Sequence, residues 1–167
     1  MKIQRLLWLI SLFTFLVLAG CGQGSNNVYE ENINGSSEEE MVEIDGLKYT
    51  MAVEKENDVI EVTLSLKNTL EKDAITVDFS SGHQFDIFIH DEDDNLLYDY
   101  AEGMMFTQAF ITETINAGEE LTFTDSWNSN NTTDAAPLKI SSQLNIYQVD
   151  GTNLEGTPFK LEKTWTK

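Results

Sequence analysis

Leu47-Lys48-Tyr49-Thr50-Met51-Ala52-Val53-Glu54 and, beyond Glu56-Asn57-Asp58, Ile60-Glu61-Val62-Thr63-Leu64-Ser65-Leu66-Lys67 decide the fold. In both stretches every second residue is apolar. A strand sends successive side chains to opposite faces, so the pair predicts a hairpin with one dry and one wet face. The same period continues outward in Ile75, Val77 and Phe79, in Phe85, Ile87 and Ile89, and in Leu96, Tyr98 and Tyr100. Later strands are expected over 111–115, 121–127, 138–149 and 159–165. Turn formers at 71–73, 80–82, 91–95, 116–118 and 128–137 separate them. No stripe of helical period appears after residue 20. About eight or nine short strands with polar connections predict an all-β domain, an antiparallel β-sandwich over residues 47–167, with Trp127, Tyr147, Phe159 and Trp165 in its core. A domain of this size buries about two thirds of its unfolded surface and needs no disulfide.

Upstream the composition changes twice. Lys2 and Arg5 precede a 13-residue apolar run, Leu6 to Leu18, too short for a stable membrane span but suited to a signal peptide over residues 1–20. Leu18-Ala19-Gly20-Cys21 resembles the bacterial lipobox, in which small residues admit the peptidase and the thiol receives diacylglycerol. Cys21 is the only cysteine of the chain. It is therefore expected to be the lipidated first residue of the mature protein, carrying acyl chains such as palmitate. Residues 21–46 read as a flexible acidic tether of glycine, serine, asparagine and glutamate. The expected location is the bacterial cell envelope, on the outer face of the cytoplasmic membrane.

Charge excludes one class of partner. The chain has 29 acidic and 10 basic residues, and from Asp73 through Leu138 it has 14 acids and no Lys or Arg. Nucleic-acid binding depends on Lys and Arg at phosphates, so no nucleic-acid partner is expected.

A family resemblance rests on Asn68, on Phe79-Ser80-Ser81-Gly82-His83-Gln84-Phe85-Asp86, on Asp91, on Phe106-Thr107-Gln108, and on Ala117-Gly118-Glu119 followed by Trp127. In this order and spacing they resemble the BsuPI family of intracellular proteinase inhibitors over most of residues 47–150. Asn116 stands where the family's turn has proline. The resemblance implies an immunoglobulin-like β-sandwich. It carries over no reactive residue, and its intracellular setting contrasts with the export signal.

Asp91, Asp93, Asn95 and Glu102 stand at positions 1, 3, 5 and 12 of a calcium-loop spacing, but Leu96 replaces the glycine of position 6. The expectation is a carboxylate-rich hairpin turn, with weak Ca2+ binding as the alternative. His83 and His90 lack a third ligand for zinc and are read as structural or solvent-facing. There is no Gly-x-Ser-x-Gly elbow, no Gly-x-Gly-x-x-Gly and no P-loop, and so many acids make carboxylate pairs uninformative. No catalytic constellation is read, and a non-enzymatic protein is expected. Gly103-Met104-Met105-Phe106-Thr107-Gln108-Ala109-Phe110 is the most apolar connection. It either plugs the core or presents Met105 or Phe106 to a protease cleft or another protein. The expected function is a surface-anchored protein-binding module, a possible proteinase inhibitor, with a protease or other envelope protein as partner. The alternative is an acidic envelope lipoprotein with weak calcium binding or a spacing role and no defined protein target.

Overall fold

The computed structural model describes residues 40–129 and 137–166. Cys21, the leader and the tether up to residue 39 lie outside the described residues. Every element among those described is a strand, and all pairings are antiparallel. One sheet has the order β1 (Glu40–Ile44), β2 (Leu47–Glu56), β3 (Val59–Asn68), β8 (Glu120–Asn128). A second has β11 (Thr152–Asn153), β10 (Ile146–Val149), β4 (Ile75–Phe79), β7 (Ile111–Ile115). The third has β12 (Lys160–Trp165), β9 (Leu138–Leu144), β5 (Phe85–His90), β6 (Leu96–Asp99).

The hairpin that decides the fold forms as its alternation predicts. β2 and β3 pair from Leu47↔Asn68 to Glu56↔Val59, and Tyr49, Met51, Ile60, Leu64 and Leu66 are fully buried on one face. That face meets the other two sheets. The Tyr49 ring lies edge-on to Phe159 at 6.4 Å, and its hydroxyl donates to Ser142 Oγ on β9 at 2.7 Å. Burial raises the Tyr49 pKa, and the Ser142 bond offsets part of that rise. Phe123 of β8 packs against both Phe79 of β4 and Phe85 of β5. The result is the expected sandwich.

The second and third sheets make one layer with a break across its middle. β9 and β10 are one run of chain, with Asn145 between them, and Ser80 to Gln84 link β4 to β5 in the same way. β6 runs back along β5, the chain crosses the break, and β7 runs on along β4. On the opposite edge, residues 154–159 cross from β11 to β12. The layer therefore has four strand lines, each interrupted at the same level.

Three sequence expectations are corrected here. Residues 40–44, assigned to the tether, form β1 and bury Val42. Asp45-Gly46, both at positive φ, make a two-residue hairpin loop, for which Asp-Gly is strongly preferred. Leu138 to Val149, expected as one strand, divides at Asn145, where its hydrogen bonding passes from β5 to β4. Tyr147, expected in the core, is 41% exposed because it follows buried Ile146 and strand alternation turns it to the outer face. Phe159 is buried as expected, while Trp127 and Trp165 pack partly buried against the core.

Candidate functional site

The break gathers one part of the residues that carry the family resemblance, Ser80 to Asp86 and Phe106-Thr107. At its centre Asp86 is 5% exposed. Its Oδ1 lies 2.5 Å from His83 Nε2, and its Oδ2 accepts from Gln143 Nε2 and Asn145 Nδ2, each at 3.0 Å. Asn145 N donates to Gln84 O at 2.8 Å, closing the gap between the half-sheets. A buried carboxylate without donors is costly, and these three side chains supply them. The Asp86 acceptors are thus taken up by structure.

A loop is fastened onto this network. Gly82 N donates to Thr107 O at 2.9 Å, and a Cβ on Gly82 would stand 2.6 Å from Thr107 Oγ1. Glycine is what allows that approach. The Phe106 ring stacks on His83, centroids 4.3 Å apart and planes within 9°, and Tyr100 stacks on Phe85 at 4.1 Å beside them. Between these fixed points Met104 is 49% exposed and Met105 99%, with Phe110 at 69% just before β7. The core-plug reading of 103–110 does not hold for Met104, Met105 or Phe110. The expected pair is also divided: Met105 projects into solvent, whereas half-buried Phe106 anchors the loop.

The acidic segment folds as a turn. Asp91 Oδ1 accepts from the backbone N–H of Asp93 and Asn95, and Oδ2 from Asn95 Nδ2. The Asn95 side-chain bond leads in holding the Asp91 carboxyl below its ordinary pKa. Asp94 pairs instead with Lys139 at 2.6 Å, and Glu102 sits in a later turn whose N–H donates to Asp99 O. Among the described residues no group of three or more His, Cys, Asp or Glu side chains is placed to hold a metal ion. With Leu96 at the sixth position the loop closes as the β5–β6 turn, and Asn95 is a donor to Asp91. His90 stays on β5, apart from the His83–Asp86 pair.

A second motif cluster ties the layers. Asn68, fully buried, donates through Nδ2 to Ile115 O at 2.9 Å and Asp73 O at 2.8 Å, and its Oδ1 accepts from Leu70 N. Its backbone bonds to Glu119 and Gly118 fix the β7–β8 turn. Asn116, in the proline position, donates through Nδ2 to Glu119 Oε2 at 2.7 Å and closes that turn by a side-chain bond. Sequence reasoning did not find Gln143 and Asn145 as partners of Asp86. An asparagine inside a run of strand formers was the available signal.

The motif residues are therefore scaffold, and what they hold out is the Met104–Met105 tip. No curated protein matches the chain. A family model described as BsuPI, intracellular proteinase inhibitor, matches residues 47–144, from the start of β2 to the end of β9. Proteinase inhibition is a non-enzymatic role, and that match covers more than half of the chain, which belongs to the BsuPI family.

Proposed function

We propose that this protein is a lipid-anchored, non-enzymatic binding module of the bacterial envelope that inhibits a proteinase, or otherwise engages an envelope protein, through the loop 103–110. The observation that carries the reading is the nearly complete exposure of Met105 on a loop fastened at Phe106 and Thr107. A thioether in solvent contributes nothing to the core, and a pre-ordered loop loses little entropy when a cleft closes around it. Family membership supports a proteinase as the partner class. Lys2, Arg5, the apolar run and Leu18 to Cys21 support export and lipidation at Cys21. Two acyl chains hold a protein stably at a bilayer where one does not.

The test is inhibition of a panel of serine proteases by the protein and by its Met105→Asp variant. Inhibition that falls at least about tenfold in the still-folded variant supports the loop, since a charge in an apolar pocket costs that much or more. Equal inhibition by both proteins would move the site elsewhere.

A further inference from the structure

The methionine tip is too small to hold a partner alone. Specific interfaces bury about 800 Å² on each side, and two methionine side chains provide a fraction of that. Adjoining surface must take part. Phe110, at the end of the loop before β7, and Tyr147, on β10, come from strands on either side of β4 and bring their rings to 6.0 Å, and both are exposed. Tyr147 also lines a groove of about 400 Å³ together with Ser80, His83, Asp86, Asn145 and Leu154. Of the seven large apolar side chains exposed among the described residues, Met104, Met105, Phe110 and Tyr147 belong to this region. The other three, Val59, Leu70 and Leu96, lie at separate turns. Exposed aromatic rings beside a groove are the side chains that most often dominate binding energy.

Charge indicates what covers the patch. Glu102 adjoins the loop, and Asp78, which accepts from Thr112 Oγ1, lies on β4 beside β7. The described lysines stand on β2, β3, the turn after β3, β9 and β12, and β12 is the edge of the layer opposite the loop. The loop and the strands β4, β5, β6 and β7 beside it thus carry carboxylates and no Lys or Arg.

We infer that the docking surface extends from Met105 across Phe110 and Tyr147, and that its occupant is a protein whose apolar cleft is rimmed by Lys and Arg. This rests on the binding reading of the loop and adds the footprint and the partner's charge. Opposite charges around an apolar contact raise the rate of encounter, and salt removes that advantage.

The experiment uses the full-length protein with two serine proteases of matched specificity, one cationic and one anionic. Association rates are measured at about 0.01 M and about 1 M salt. The cationic enzyme should associate at least about tenfold faster at low salt, and the difference should vanish at high salt. Phe110→Ser combined with Tyr147→Ser should weaken binding about tenfold or more with the circular dichroism spectrum unchanged. Equal association with both enzymes at low salt overturns the charge assignment. Undiminished binding by the double variant overturns the footprint. Either result leaves inhibition through the loop standing, whereas binding to neither enzyme overturns the inference together with the proteinase reading beneath it.

Discussion

In the first layer β2 and β3 stay paired from Leu47↔Asn68 to Glu56↔Val59 without interruption; in the second, every strand line stops and restarts at one level. The first layer seals its inner face with apolar side chains, among them Leu64, Leu66, Met51, Tyr49 and Phe123. The second spends its middle on a buried carboxylate, three side-chain donors and a stacked His–Phe pair. The difference teaches a division of labour. Uninterrupted pairing supplies cohesion, and the interruption frees a stretch of backbone to leave the sheet as a loop whose ends remain fixed.

The sharpest test of this contrast is Leu64→Ala in the unbroken layer. Leu64 is fully buried, and the substitution should cost roughly 2 to 5 kcal/mol, read as a lower midpoint in chemical denaturation. Asp86→Ala in the break should cost less, about 1 to 3 kcal/mol, because it leaves the donors of His83, Gln143 and Asn145 without their acceptor. Its effect should also be local. Hydrogen exchange should quicken over residues 103–110 while β2 and β3 keep their protection, and equal quickening in both places would erase the distinction.

Smaller effects sharpen the same contrast. Gly82→Ala forces Thr107 to turn aside and should cost about 1 kcal/mol, with loop mobility again the main readout. Met105→Asp should alter stability by less than about 0.5 kcal/mol, since nothing packs on that side chain. A larger loss of stability would show that the tip is part of the fold. The least effect is expected from pH at the β5–β6 turn. Asp91 is held below its ordinary pKa first by the Asn95 side chain, and Asp94 first by the Lys139 hydrogen bond. The stabilisation is present above the unfolded carboxylate range and is lost as pH falls through the depressed values. Carboxyl titration by NMR should show both groups protonating at lower pH than exposed aspartates elsewhere.

What the sequence made legible follows the same line. In β2, β3 and β4 the core consists of apolar residues at every second position, so alternation alone locates them. β11 is only two polar residues, and β1 places Met41 and Val42 side by side between glutamates at the end of an acidic segment, so neither shows alternation, although Asp45-Gly46 and Asp150-Gly151 mark both hairpins. The break was invisible to periodicity, since Leu144 and Ile146 keep the period while their hydrogen-bond partners change. At the candidate site, Met105 is exposed, where the sequence leaves both core plugging and presentation open. Phe106 was assigned beside it because both are apolar, and only the approach of His83 from another strand separates their roles.

Two methionines of this protein occupy opposite extremes. Met51 is fully buried and Met105 almost fully exposed. Peroxide transfers one oxygen atom to a thioether, giving a sulfoxide and water, and a solvated sulfur is reached first. Mild oxidation would therefore make the loop tip polar while the interior keeps its native sulfur. A 16-dalton label, on the order of one oxygen atom, would mark the tip without any substitution, and methionine sulfoxide reductases would restore it. The exposed tip is thus a position where the chemistry of the surroundings acts on the surface before it touches the fold.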